Sequence, residues 1–182
     1  MGAQPLFPID HIDISAPGVA DREGIGKLIP HRGDMLLLDE VLWHSDDYVR
    51  GVAKRAVQAD EFWCAGHIPT HPVMPGVLLV ESGAQLAAWL YYQFTPRRWF
   101  AGFTRIEETS FHIQVVPGDT LLLLVSCRKR SEKRFVCDIQ GLVDGQIAFK
   151  SLITGMAFPK VGEVPRVPLD SVPSIRSELQ SR

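Results

Sequence analysis

Residues 66–85 read GHIPTHPVMPGVLLVESGAQ, a proline-rich loop that runs directly into an apolar segment. Pro69, Pro72 and Pro75 each fix the backbone φ angle and remove a hydrogen-bond donor, so neither a helix nor a central strand can pass through them. Pro75 suits the first turn of a helix, and no proline follows between residues 77 and 94. The pattern therefore predicts a loop followed by one long helix.

The predicted helix is apolar on nearly every face, which is typical of a helix buried inside a domain. Its polar positions, Glu81 and Gln85 among them, argue against a membrane span. A buried carboxylate costs several kcal/mol unless it is paired or hydrogen-bonded, so Glu81 is the unusual residue. Gln85 lies one turn further along the same face, and His67 stands in the preceding loop. An acid, an amide and an imidazole are thus predicted near a helix N-terminus that favours developing negative charge.

This run closely resembles the active-site segment of the β-hydroxyacyl-acyl-carrier-protein dehydratases of FabZ type. That family shows Gly-His-Phe-Pro-x-x-Pro-Val-Met-Pro-Gly-Val-Leu, and a Glu follows fourteen residues after the His. His67 and Glu81 have that spacing, and residues 72–78 between them read PVMPGVL. A match of this length is a far stronger signal than a lone His and Glu.

Two further segments are similar to the same family. Residues 28–41 read LIPHRGDMLLLDEV, where the family shows Leu-Pro-His-Arg-x-Pro-Phe-Leu-Leu-x-Asp-Arg-Val. The departures in this chain are Ile29, Asp34, Met35 and Glu40. The turn at residues 116–119 resembles the family's Val-Val-Pro-Gly-Asp element. His31-Arg32 is expected to order the first turn and the following strand, and docking of the phosphopantetheine arm is the less favoured alternative.

Strand signals lie on both sides of the predicted helix. Leu36 to Leu38 are expected to begin a buried strand, and Asp144-Gly145 is a strong hairpin signal. Segments rich in aromatic and β-branched residues predict further strands at 48–57, 99–114, 120–128, 134–143 and 146–158. An antiparallel sheet wrapped around one buried helix is an α+β arrangement, and the resemblance implies the hotdog fold.

We expect three parts along the chain. Residues 1–21 form an irregular N-terminal arm, residues 22–158 form the dehydratase-like domain, and residues 159–182 form a proline-rich tail. Asp21 is expected to cap a short helix that ends before Pro30.

The composition excludes several classes of protein. The chain has 182 residues, of which 46% are hydrophobic, and a formal net charge of −2, so no basic field argues for nucleic acid. Three cysteines are too few for a disulfide framework. No signal peptide is apparent, and no apolar run is long enough for a membrane span. A cytoplasmic protein with no membrane partner is expected.

The resemblance implies a reaction that removes water from a 3-hydroxyacyl thioester and gives the trans-2-enoyl thioester. His67 would take the proton alpha to the carbonyl, and Glu81 would act at the hydroxyl, directly or through a water. The backbone amides of Gly76 and Val77 would face the thioester carbonyl, and Gln85 would hold Glu81 or the water. The expected walls of the acyl tunnel are Val73, Met74, Leu78 and Phe103. No cofactor and no metal are expected.

The partner implied by the resemblance is an acyl carrier protein with a phosphopantetheine-linked acyl chain. Arg97 and Arg98 are candidates for docking this acidic protein. In the family, the His and the Glu of one site come from different subunits, so a homodimer with two shared sites is expected. Assembly into a trimer of dimers stays open, as do the acyl length and the choice between carrier protein and coenzyme A.

The sequence also allows three other interpretations. A hotdog thioesterase is the alternative enzyme, and a non-catalytic subunit that binds acyl thioesters is the alternative from another class. The third is a zinc site, suggested by Cys64, His67 and His71, but their spacing matches no strong zinc pattern and a proline loop is an awkward carrier.

Overall fold

The computed structural model describes residues 4–96 and 99–159. These residues form strands β1 (Ala20–Asp21), β2 (Glu40–His44), β3 (Arg50–Ala56), β4 (Phe100–Phe111), β5 (Thr120–Arg130), β6 (Arg134–Val143) and β7 (Gln146–Phe158). The helices are α1 (Arg22–Leu28) and α2 (Gly76–Phe94), with a 3₁₀ turn at Gly33–Met35. The proline-rich tail predicted at residues 159–182 lies outside the described residues, except for Pro159.

All seven strands belong to one antiparallel sheet, in the order β1-β2-β3-β5-β6-β7-β4. Helix α2 packs across one face of this sheet and contacts strands β3 to β7. The α+β prediction, with a sheet wrapped around a long helix, is confirmed. Strand β4 ends the sheet on one side, so its outer edge carries backbone groups that no described strand pairs.

Helix α2 begins and ends where the prolines and the apolar run predict. Pro75 is the N-cap residue, one position before the helix, and its carbonyl accepts the backbone amides of Leu78 (2.9 Å) and Leu79 (3.2 Å). Thr95 caps the other end, directly before Pro96. Thirteen of the nineteen helical residues are buried, so packing against the sheet, and not a polar outer face, stabilises this helix.

The segment at Leu36 to Leu38 is buried but is not a strand, so that part of the prediction is wrong. The backbone amide and carbonyl of Leu37 form hydrogen bonds with side chains and not with a neighbouring strand. The Leu37 amide donates to the Gln85 side chain (2.9 Å), and the Leu37 carbonyl accepts from Arg55 (2.8 Å). Such side-chain partners replace the ladder that a strand would need.

The N-terminal arm covers the face of the sheet that α2 leaves free. Phe7 is buried in a second apolar cluster with sheet residues Leu42, Val52, Leu124, Leu142 and Ile147. Gln140 fixes the arm: its Oε1 accepts the Leu6 amide at 2.7 Å, and its Nε2 donates to the Gln4 carbonyl at 3.3 Å. The irregular arm therefore packs on the sheet through Phe7 and through the partly buried Leu6, Ile9 and Ile12.

Helix α1 begins as its sequence predicts. Asp21 accepts the Gly24 amide on its Oδ1 at 2.8 Å, which caps the helix, and the helix ends at Leu28 before Pro30. In the part of the chain that the structure describes, no helix is both long and apolar enough to cross a membrane.

Candidate active site

Glu81 lies on the second turn of α2, and its side chain is only 16% exposed. The Gln85 amide nitrogen donates to Glu81 Oε1 at 3.0 Å, and the His31 Nε2 lies 3.0 Å from the same oxygen. These contacts offset part of the cost of burying a carboxylate. Within residues 4–96 and 99–159, no donor contacts the other oxygen, Oε2.

Gln85 is 1% exposed and uses both ends of its amide. Its Nε2 donates to Glu81 and to the Met35 carbonyl (2.8 Å), while its Oε1 accepts the Leu37 amide. The structure thus places Gln85 against Glu81, where the i+4 spacing puts it, and also ties α2 to the segment that carries His31. The role of Gln85 toward substrate stays a prediction.

The position of His31 beside Glu81 is the feature of the site that the sequence does not reveal. The sequence predicts an ordering role for His31, whereas in the structure its ring lies against Glu81 and lines the same cavity. Arg32 has the ordering role: its guanidinium donates to the carbonyls of Ile29 (2.7 Å) and His31 (2.6 Å). Fifty residues separate His31 from Glu81, and only the folded chain brings them together.

A cavity of about 370 Å³ opens beside Glu81. Its walls are mostly apolar and come from α2, from the start of β4 and from the neighbouring strands. The lining residues besides His31 and Glu81 include Ala84, Ala88, Phe103, Phe135, Ile153 and Phe158. Phe103 is the only one of the four predicted tunnel-wall residues on this cavity. An apolar pocket with one carboxyl group and one imidazole suits an acyl chain with a reacting polar end.

His67 lies in the exposed loop before α2. Its Nδ1 is 2.8 Å from the Val73 carbonyl oxygen, which can only accept, so Nδ1 carries the hydrogen. In the neutral ring, Nε2 then keeps a free lone pair and is able to accept a proton. The next residue, Ile68, has a φ of 55°. This left-handed conformation is unusual for a β-branched residue and is a mark of functional loops.

A second cavity, of about 400 Å³, contains His67, and Glu81 does not line it. Its walls include the predicted residues Val73, Met74 and Gly76, together with Leu79 and the residues from Phe111 to Val115. Leu78 lines neither cavity, and Val77 exposes 74% of its surface beside them. Within one protomer, the structure therefore does not bring His67 and Glu81 into the same cavity.

The Phe111 ring packs over Gly76, a contact that the sequence does not reveal. A Cβ at residue 76 would be 2.7 Å from a carbon of this ring. The sequence predicts that the missing side chain lets substrate approach the backbone. In the protomer the Phe111 ring, which is itself half exposed, fills that space.

Cys64, His67 and His71, the three candidate zinc ligands, each contact a different residue. His71 Nε2 is 2.9 Å from the Gln114 Oε1, His67 binds Val73, and the Cys64 sulfur is 3.7 Å from the Gln58 carbonyl. Among the residues described, no group of three or more His, Cys, Asp or Glu side chains is arranged to hold a metal ion. The docking candidates Arg97 and Arg98 lie outside the described residues.

Comparison of the chain with known proteins identifies its family. A family model described as a FabA-like domain matches residues 29–151. The 3-hydroxyacyl-[acyl-carrier-protein] dehydratase FabZ of Streptococcus pneumoniae (strain ATCC BAA-255 / R6) is 37% identical over 138 residues, which cover 74% of this chain and 95% of that protein. The chain belongs to the FabA-like family, among its FabZ-type dehydratases. The FabZ protein of Streptococcus uberis is 36% identical over the same share of each chain.

Solved structures support the hotdog fold of the FabA-like domain. A chain of the dehydratase heterocomplex ApeI:P from Xenorhabdus doucetiae aligns with a TM-score of 0.65 at 15% identity, over 75% of this chain and 91% of that one. A hypothetical thioesterase protein from Streptococcus pneumoniae TIGR4, solved with coenzyme A, gives a TM-score of 0.52 at 12% identity, over 65% of this chain and 84% of that one. At such low identity these likenesses show the fold alone.

The FabA-like match includes the residues of both cavities that carry chemistry. It begins at Ile29, so His31, His67, Glu81 and Gln85 all lie inside it. The N-terminal arm lies outside it. The arm is therefore an addition of this chain to the FabA-like core, packed on the side of the sheet away from Glu81.

Proposed function

We propose that this FabZ-type protein dehydrates 3-hydroxyacyl thioesters carried by acyl carrier protein, in fatty acid or related acyl-chain synthesis. The family membership supports the reaction class. The observation that carries the assignment of residues is the pair of apolar cavities, one holding an imidazole with a free ring nitrogen and the other a shielded carboxyl group. Elimination of water needs both a base and an acid.

In the proposed reaction, His67 Nε2 takes the proton from the carbon alpha to the thioester carbonyl. The electron pair of that C–H bond forms the double bond as the bond from the beta carbon to oxygen breaks. Glu81 delivers a proton to the departing hydroxyl, which leaves as water. The hydrogen bond to Val73 holds the imidazole in the tautomer that this step requires.

One site needs His67 and Glu81 from two copies of the chain. Strand β4 is the exposed edge of the sheet and carries Phe100, Phe103, Ile106 and Phe111, each more than a third exposed. Long apolar edge strands pair with another chain unless they are covered. A second copy that adds its own β4 antiparallel to this edge would cover it with a two-fold symmetric contact.

Such pairing would also bring the two cavities together. The Glu81 cavity includes the start of β4, from Phe100 to Thr104, whereas the His67 cavity includes its last residue, Phe111. When two identical strands pair antiparallel about their midpoint, the start of one lies beside the end of the other. The His67 of one protomer would then face the Glu81 of its partner, and a homodimer would have two shared sites.

Incubation of the purified protein with 3-hydroxyacyl and trans-2-enoyl thioesters, on carrier protein and on coenzyme A, tests the activity. We expect interconversion of the two substrates, and a loss of at least about 10²-fold in kcat for His67→Ala and for Glu81→Gln. His71→Ala is the matched control, since this exposed histidine of the same loop lines neither cavity. Release of free thiol would instead indicate a thioesterase, and binding without product would indicate a non-catalytic subunit.

A further inference from the structure

We infer that His31 is a positioning residue for Glu81: with its hydrogen on Nε2, the ring donates to Oε1 and turns the carboxyl group so that the catalytic proton sits on Oε2. This inference rests on the proposed function, because it assigns a part of the same acid step. It is carried by the 3.0 Å contact between His31 Nε2 and Glu81 Oε1, which pairs two side chains that line one apolar cavity.

The number of hydrogen bonds that each carboxyl oxygen of Glu81 accepts decides which oxygen can carry a proton. Oε1 accepts from the Gln85 amide, and in the inferred arrangement it also accepts from His31 Nε2, which lies 3.0 Å away. An oxygen that already accepts two hydrogen bonds has no lone pair left for a proton, so a protonated Glu81 carries its hydrogen on Oε2. Without His31, one lone pair of Oε1 would be free, and the proton would divide between the two oxygens and between two directions.

The surroundings of the His31 ring favour a hydrogen on Nε2 over one on Nδ1. Its other nitrogen, Nδ1, is buried and has no hydrogen-bond partner among the described residues. A hydrogen on Nδ1 would be a buried N–H with no acceptor, so the tautomer with its hydrogen on Nε2, next to Glu81, is the one that suits this environment.

The backbone around His31 is fixed from two sides, which makes it a suitable positioning element. Gln85 binds Met35 and Leu37 from the α2 side, and Arg55 binds the Leu37 carbonyl from the sheet side. Arg55 is itself buried and paired with Glu61. A catalytic side chain is held accurately when the residues that orient it are themselves locked by packing and hydrogen bonds.

Removing the hydrogen bond is expected to affect turnover and not binding. A hydrogen bond to a charged group contributes about 1.5–3 kcal/mol, so its loss in the acid step corresponds to a decrease of roughly 10- to 100-fold in kcat. KM for the acyl thioester is expected to change less than about threefold, since His31→Phe keeps the ring volume and the apolar wall.

The experiment compares wild type, His31→Phe and His31→Gln in steady-state dehydration, at a pH where all three are folded by circular dichroism. We expect His31→Phe to lose kcat with KM unchanged. His31→Gln is expected to recover most of the loss, because the glutamine amide nitrogen can replace Nε2 as the donor. A purely structural role predicts that turnover per folded site is unchanged in both variants, and that outcome overturns the inference.

A double-mutant cycle shows whether His31 acts through Glu81. In a Glu81→Gln background, His31→Phe is expected to cause no further loss of kcat, because the carboxyl group that it orients is gone. Equal losses in both backgrounds would overturn the inference.

One measurement is independent of turnover. If wild type shows no dehydration, the proposed function fails, and ¹⁵N NMR of the imidazole still tests the contact. We expect a ring that carries its hydrogen on Nε2, with a signal that shifts in Glu81→Gln. A ring protonated on Nδ1, or one that does not respond to Glu81→Gln, would overturn the inference whatever the activity.

Discussion

His67 and Glu81 of one protomer line two separate cavities, which lie toward opposite ends of strand β4. The thirteen residues between them form the end of a loop and the first turns of α2, and this short connection separates the imidazole from the carboxyl group. In the proposed dimer, each protomer would present half of two sites, and the exposed edge of β4 is the surface on which a second copy would complete them.

Mixed dimers test this arrangement directly. Co-expression of His67→Ala and Glu81→Gln chains in equal amounts is expected to restore about one quarter of wild-type activity, because half of randomly formed dimers are mixed and one of their two sites has both native residues. The measurement is the dehydration rate per protomer in the unfractionated preparation. Mixed dimers isolated through a different tag on each chain should reach about one half, since one of their two sites is complete.

The controls for this experiment are preparations that contain one variant only, which are expected to stay inactive. A mixed preparation as inactive as these would contradict the shared site, provided that mixed dimers are recovered. Full activity in either variant alone would contradict the roles given to His67 and Glu81.

The sequence predicts those parts of the site that lie close together in the chain. Helix α2 follows from Pro75 and the uninterrupted apolar run, and the contact between Glu81 and Gln85 follows from helical spacing. His31 could not be placed in this way. Its position depends on the segment before β2, where side chains from α2 and β3 bind the backbone of Leu37 in place of a strand partner.

The packed N-terminal arm could not be predicted for a related reason. Its apolar residues follow neither a helical nor a strand period, because the segment is irregular and its contacts are set by the sheet beneath it. The buried amide of Gln140, which stands 134 residues from Leu6, gives no sign in the sequence that it binds the arm. Long-range side-chain contacts of this kind require the fold to be known.

Gly83 is expected to be essential for the packing of α2 on β6. A Cβ at residue 83 would be 2.1 Å from the Cγ2 of the buried Ile139. Gly83→Ala gains about 1 kcal/mol in helix propensity but overpacks the core, which typically costs about 1–3 kcal/mol. Because this contact is so short, we expect a net loss of stability in urea unfolding.

Two variants make the Gly83 prediction specific. In an Ile139→Ala background, which is itself destabilised, Gly83→Ala is expected to cost less than in wild type. Gly26→Ala in helix α1 is the matched control, since a Cβ there would meet its nearest neighbour at an ordinary 3.7 Å, and it should be neutral or stabilising. A Gly83→Ala cost that is the same in both backgrounds would contradict the proposed clash.

Phe7 is expected to anchor the arm to the sheet. Phe7→Ala removes a buried ring from the second apolar cluster, and a loss of about 3 kcal/mol in the free energy of unfolding is expected. Limited proteolysis should also cut the arm faster. Ile14→Ala is the control, since Ile14 lies in the same arm but is exposed, and its effect is expected to be within about 0.5 kcal/mol. Equal effects of the two substitutions would show that the arm does not depend on Phe7.

Cys127 and Cys137 stand directly opposite each other on β5 and β6 and differ in their expected reactivity. The hydrogen bond from Cys137 lowers the pKa of the half-buried Cys127 thiol, whereas the same hydrogen bond and burial raise the pKa of Cys137 well above its ordinary value. Alkylation requires the thiolate. Cys127 is therefore expected to react with iodoacetamide at a lower pH than an ordinary thiol, while Cys137 stays unmodified.

Rates of alkylation followed by mass spectrometry across a pH series measure this difference. Because Cys137 is the donor, Cys137→Ala is expected to raise the pKa of Cys127 and to move the rising part of its rate profile to higher pH. An unchanged profile in Cys137→Ala would contradict the donor role of Cys137. Faster modification of Cys137 than of Cys127 in the folded protein would contradict the assignment of the two thiols.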